Sequence, residues 1–97
     1  MIYMVEMALL DTARRAEWEA WYVAHQHKLL SIPGIHASQR FEALHKAESP
    51  FVALHEVDSP DIINSPAWNE KSEWGDWAPK IRPHTTERHG SIFKKIP

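Results

Sequence analysis

Ninety-seven residues provide for one domain, residues 1–97, with one compact core, because a chain of this size removes only about two thirds of its unfolded surface from water. Eleven Lys and Arg nearly balance thirteen Asp and Glu, and the nearest thing to a basic stripe is Lys94-Lys95, too short to track a phosphate backbone, which argues against a nucleic-acid partner. The absence of cysteine excludes a disulfide framework, a thiolate zinc site and a cysteine nucleophile and leaves the cytoplasm as the default compartment, while no apolar run approaches the roughly 20 residues of a membrane span.

Along the chain, residues 2–9 place Tyr3, Val5, Met7 and Leu9 on one face and Glu6 on the other, the alternation of a half-buried strand. Asp11 or Thr12 then caps a helix that meets no Gly or Pro until it has run to about Ser31. At 3.6 residues per turn, Trp18, Tyr22, His25, Leu29 and Ile32 form one stripe with Trp21 on its edge, and Glu17, Glu19, Ala24 and His27 point elsewhere. Pro33-Gly34 ends the helix, since proline disfavours a helical residue before it and glycine accepts the reversal.

Residues 35–44 and 51–57 flank a turn-like Lys46-Ala47-Glu48-Ser49-Pro50, which predicts a β-hairpin. A turn centred between residues 47 and 48 pairs Arg40 with His55, Phe41 with Leu54 and Gln39 with Glu56, with His36 and Ser38 further along the face of Arg40. Ser59-Pro60-Asp61 and Ser65-Pro66-Ala67 each set a capping serine before a first-turn proline, so one interrupted helix is expected over about 60–73, ending near Gly75. A loop with Trp77, Pro79 and Pro83 follows, and the Thr, Ile and Phe of residues 85–96 predict a fourth strand.

The order β-α-β-β-α-β predicts an α+β, ferredoxin-like sandwich, with two helices on one face of a four-stranded antiparallel sheet. The other face would show apolar side chains to water, and packing two such sheets face to face, in a symmetric homodimer, would cover them. The run Trp21-Tyr22, then His25, then Leu29-Leu30-Ser31-Ile32-Pro33-Gly34-Ile35, followed by Arg40-Phe41, resembles the dimeric α+β barrel superfamily, and within it the EthD-like (ethyl tert-butyl ether degradation) proteins. The resemblance implies dimerisation through the sheets into an α+β barrel with a small-molecule pocket in each subunit. Members include isomerases, lyases, cyclases, cofactor-free monooxygenases and haem-handling proteins, and the histidine matching His25 often lines the pocket. His27 stands where relatives often carry proline, which makes the helix more regular here.

His25 is the first candidate for chemistry, because an imidazole on the core-facing side of a helix has its proton affinity set by its surroundings. The plain alternative is a buried histidine satisfied by neighbouring backbone. His25 and His27, two residues apart, lie about 200° apart around the helix and cannot share a metal ion, and a site drawn from His25, His36, His55, His84 and His89 would need a convergence the pattern does not show. Arg40 could anchor a substrate carboxylate and His55 could act as the partner acid or base, or the two could form only a polar cross-strand pair. Tyr22 could donate to a developing oxyanion or simply pack; Trp21 borders the same stripe, and Trp68, Trp74 and Trp77 could form a lid over an aromatic ligand or plug the end of a small core.

The expectation drawn from these residues is an enzyme without cofactor or metal. It would act on a small apolar or aromatic metabolite, with or without a carboxylate, by acid–base chemistry, as a lyase, isomerase or cyclase. A non-catalytic carrier of a hydrophobic ligand or haem, and a cofactor-free monooxygenase, are the competing readings.

Overall fold

The computed structural model describes residues 1–45, 47–72, 75, 80–86 and 88–97. In chain order the elements are β1 (Ile2–Met7), α1 (Arg15–Leu30), β2 (Ile35–Glu42), β3 (Phe51–Val57), α2 (Pro66–Ser72) and β4 (His89–Phe93), with short 3₁₀ turns at Thr12–Arg14, Pro60–Ile62 and Arg82–His84. Asp11 caps the entry to α1, its carboxylate accepting from the Ala13 amide at 3.1 Å, and the Ser65 hydroxyl accepts from the Trp68 amide at 3.2 Å to start α2. Between the two expected pieces of the second helix, Asn64 takes a positive φ of 68°, a conformation that interrupts a helix and that Asn tolerates better than most residues. Gly34, at φ 94°, turns the chain from α1 into β2 as Pro33-Gly34 predicts.

The sheet order is β2-β3-β1-β4 with every neighbouring pair antiparallel. Because β3 lies between β1 and β2, the α1 crossover spans one intervening strand, which is the split βαβ connection of the ferredoxin-like fold. Helix α1 packs against both the sheet and α2.

The hairpin register differs from the expected one by two residues: Ser38 faces His55, Arg40 faces Ala53 and Phe41 faces Val52. The Ala43 amide donates to the Pro50 carbonyl at 2.8 Å, which centres the loop between residues 46 and 47 and shifts every pair by two. A shift of two preserves the alternation, so Arg40 and His55 still share the helix-facing side. His36 does not join them. The register slips between Ile35 and Ala37, and this bulge sends His36 outward to Asp58, with Nε2 2.7 Å from Oδ1. The fourth strand is shorter than residues 85–96, because the segment before it leaves the ladder for an isolated bridge between Leu9 and Thr85.

Two apolar clusters fill the space between helices and sheet. One joins Val5, Met7, Trp18, Trp21, Tyr22, Ala53 and Ile81; the other joins Leu29, Ile32, Ile35, Val57 and Trp68. On α1 the gap between them falls at His25, and on β3 it falls at His55, so two buried imidazoles occupy the seam. The opposite face of the sheet carries Ile2, Met4, Ala37, Phe41, Val52, Leu54 and Phe93 among polar residues, and Phe41 and Phe93 are each about half exposed. Among the described residues no helix is long and apolar enough to cross a membrane.

Candidate functional site

The seam opens into a cavity of about 710 Å³. From α1, His25 enters with its ring stacked on Trp21, centroids 4.5 Å apart and planes within 19°, and edge-on to Tyr22 at 5.6 Å. From β3, His55 lies near-parallel to Tyr3 at 6.1 Å and edge-on to Trp68 at 6.2 Å. Aromatic walls of this kind lock an imidazole plane without supplying a hydrogen bond. Nδ1 of each ring is buried with no hydrogen-bond partner. Leaving such a nitrogen unmatched costs about 1–3 kcal/mol, a penalty that folds tolerate at positions kept for function.

Both rings are held neutral. Burial pushes the proton affinity of His25 down to a pKa of about 3, with the charge His55 acquires once it is protonated and the charges of Arg88 and Arg40 adding to the effect, and burial alone takes His55 to about 4. Tyr22 stands between α1 and the cavity. Its hydroxyl donates to the Met7 sulfur at 3.0 Å and accepts from the Arg88 guanidinium, and burial raises its pKa well above the ordinary phenol value, so it remains a proton donor. A thioether is a weak acceptor, which an oxyanion would outcompete.

The rest of the lining is polar and comes from two short stretches. Asn64, Asn69 and Ser72 approach from α2 and the turn before it, and Arg82, Thr85, Thr86 and Arg88 from the segment that leads into β4. The described lining includes two arginines and no carboxylate.

Of the residues expected to act, His25, His55, Tyr22 and Trp68 converge on this one cavity. Trp21 does not line it; it backs His25. Trp74 and Trp77 lie outside the described residues. Arg40 is the correction. Its guanidinium makes paired hydrogen bonds to Glu19, both 3.0 Å, and sits 4.9 Å above both Trp18 and Tyr22, in a separate groove with Arg15, Glu42 and Phe51. A cation already matched by a bidentate carboxylate has little to offer a second one. His36 pairs with Asp58, and His89 stands on the other face of the sheet, so neither joins His25 and His55. Sequence reasoning missed Arg82 and Arg88. The one signal for Arg88 is its alternation with Gly90 and Ile92, which puts it on the helix side of β4.

No family model and no curated protein matches the chain. Among solved structures it is similar to a protein from Bordetella bronchiseptica provisionally described as an antibiotic biosynthesis monooxygenase, with a TM-score of 0.70 and 14% identity over 99% of this chain and 97% of the other. It is also similar to a Dabb family protein with a ferredoxin-like fold from Mesorhizobium loti, with a TM-score of 0.68 and 12% identity over 99% of this chain and 96% of the other. At these identities the likeness establishes the ferredoxin-like α+β fold.

Proposed function

We propose that the chain is a cofactor-independent enzyme of the lyase, isomerase or cyclase type, which begins by taking a proton from a small, partly apolar substrate bound in the seam cavity. The observation that carries this reading is the pair of buried, neutral imidazoles, each with an unmatched nitrogen, beside one cavity. A neutral imidazole can accept a proton, and in this setting it does so only when a negative charge develops next to it, because burial otherwise disfavours the cation. Proton removal from the substrate creates that charge. Arg88 is placed to stabilise the resulting anion, and Tyr22 can exchange its bond to Met7 for one to the developing oxyanion.

The proposal extends to assembly. The uncovered sheet face with Phe41, Leu54 and Phe93 suits a second copy of the same face, giving a cytoplasmic homodimer of EthD-like type, and light scattering should then report twice 11.3 kDa.

The test is hydrogen exchange in D₂O followed by NMR, on a panel of enolisable aryl ketones and hydroxyaryl acids. The protein should accelerate deuterium incorporation, and His25→Ala should lower the rate by on the order of 10²–10⁴-fold. An unchanged rate in that variant removes the reading, and recovery of every ligand without exchange favours a carrier. A second reading draws support from the name of the Bordetella protein: the same deprotonation of a phenol would prepare it for attack by dioxygen, as in a cofactor-free monooxygenase. An oxygen electrode separates the two, since only the second consumes oxygen in step with substrate.

A further inference from the structure

Tyr3 stands on the helix-facing side of β1, packed against both apolar clusters, near-parallel to His55 and edge-on to Trp68 at 5.5 Å. These neighbours fix the plane of its ring. The hydroxyl reaches across to β4, where Gly90 supplies the room: a Cβ there would collide with it. Tyr3, Gly90 and Arg88 all line the cavity, and the charge of Arg88 acts on the Tyr3 hydroxyl, so that hydroxyl lies at the cavity wall rather than behind it. Among the described residues it makes no hydrogen bond, yet it is not sealed in the interior either. The buried side-chain nitrogens and oxygens left without a partner are Trp18 Nε1, His25 Nδ1 and His55 Nδ1, and the Tyr3 oxygen is not one of them. A fixed ring with an accessible hydroxyl that the protein does not use is a donor held ready for a ligand.

We propose that the Tyr3 hydroxyl is a further catalytic donor of this cavity, and that it holds the carbonyl oxygen of a substrate with an acidic hydrogen on the adjacent carbon. When that hydrogen leaves as a proton to an imidazole, the C–H electron pair becomes the new C=C bond and the carbonyl π pair moves onto oxygen. The phenol then strengthens its hydrogen bond to that oxygen without giving up its proton, and the acceptor that gains most from a fixed donor is one on which charge builds during the step. Burial raises the pKa of Tyr3 above the ordinary phenol value, against the opposing charge of Arg88, so the group stays a donor at neutral pH. Tyr22 differs in one respect that matters here. Its hydroxyl is already engaged by Met7 and Arg88 and must exchange a bond to serve the substrate, whereas Tyr3 has no protein bond to give up. The role of Tyr3 rests on the reading above only in taking this cavity as the working site, and it narrows the substrate to an enolisable carbonyl compound.

The test uses the full chain and two probes, acetophenone and ethylbenzene, which is similar in shape and lacks the oxygen. Affinities come from titration calorimetry at neutral pH, and the state of the bound carbonyl from difference infrared spectroscopy of carbonyl-labelled acetophenone. In the native protein the carbonyl stretch should fall below its value in an apolar solvent. Tyr3→Phe should return it toward that value and weaken acetophenone about three- to tenfold, while ethylbenzene stays within about twofold. Its urea midpoint should match the native one, because the lost hydroxyl has no partner in the protein. An unshifted carbonyl in the native complex, or failure of acetophenone to bind at millimolar concentration, overturns the proposal without requiring any variant to fold. So does a lowered urea midpoint in Tyr3→Phe, equal weakening of both probes, or a carbonyl shift that survives in Tyr3→Phe and disappears in Tyr22→Phe. Binding is read here without turnover, so the two proposals fail separately. A Tyr3-dependent shift with no His25-dependent exchange sinks the enzyme and leaves the donor, whereas exchange intact with a carbonyl indifferent to Tyr3→Phe does the reverse.

Discussion

Two arginines approach Tyr22, one over the face of its ring and one at its hydroxyl, and their surroundings could hardly differ more. Around Arg40 the strong charges are matched within the protein: Glu19 takes its guanidinium in a fork, Glu42 takes Arg15 at 2.7 and 3.1 Å, and Arg15 also lies over Phe51. Around Arg88 the described cavity wall holds a second arginine, two imidazoles with unmatched nitrogens and no carboxylate. In the first region the charges pair within the protein and hold α1 on β2, and the buried Trp18 Nε1 is the polar atom left there without a partner among the described residues. The second leaves the Nδ1 atoms of two buried imidazoles without hydrogen-bond partners, a cost the fold carries beside its cavity.

The largest effect that could break this contrast is acid unfolding. His25 and His55 have pKa values of about 3 and about 4 in the fold against an ordinary 6.5, so below pH 6.5 the unfolded chain takes up protons that the folded chain refuses. Stability contributed by the neutral rings is therefore fully present above pH 6.5 and is lost as pH falls toward 4 and then 3. Each ring supplies a slope of about 1.4 kcal/mol per pH unit within that window, so two units of acidification remove several kcal/mol. Urea unfolding at a series of pH values checks this. His25→Gln with His55→Gln should flatten the profile, and a wild-type profile already flat from pH 6.5 downward would mean that the rings are not held neutral in the interior.

Next in size is truncation of the matched arginine. Arg40→Met removes a bidentate pair whose guanidinium also rests on two aromatic faces, and should cost about 2 kcal/mol of stability. Arg88→Met removes the guanidinium's hydrogen bond to the Tyr22 hydroxyl and should cost about 1 kcal/mol. Equal losses in denaturant melts of the two variants would erase the distinction between the two arginines. Smaller again, and of opposite sign, is His55→Leu: replacing a buried ring whose Nδ1 has no partner should raise stability by about 1 kcal/mol at neutral pH, and should abolish the proposed deuterium exchange. A destabilised His55→Leu protein would show that the imidazole earns its place by packing.

These contrasts also explain what could be read from the letters and what could not. The stripe of Trp18, Tyr22, His25 and Leu29 was legible because a helix's burial follows its own period, and the structure buries all four. The face shared by Arg40 and His55 was legible too, since a two-residue slip in register does not change which side a strand residue occupies. The bulge that expels His36 depends on how β2 meets β3, and nothing local announces it. Arg40 and Glu19 are 21 residues apart, so whether that arginine is free or occupied is settled only when α1 lies across β2. Arg88 sits where the chain passes from an irregular stretch into β4, and its role comes from neighbours distant in sequence, Tyr22 and His25.

The smallest effect probes the wall rather than the charges. Gly90, paired with Val5 on the helix side of β4, has no need of a left-handed backbone, since the positive-φ glycines are Gly34 and Gly75. Its missing side chain makes room instead: a Cβ there would lie 2.9 Å from both Cε1 and Cζ of Tyr3 and would collide with the hydroxyl. Tyr3 stacks on His55 and meets Trp68 edge-on at 5.5 Å, so it is the panel between the imidazole and the second helix. Gly90→Ala should push that ring toward the hollow at little cost to the fold, because β4 is an exposed edge strand with room to shift. The rate of the proposed deuterium exchange should then fall about three- to tenfold, because the displaced ring takes room from the substrate. A variant with an unaltered rate would place the substrate away from Tyr3 altogether.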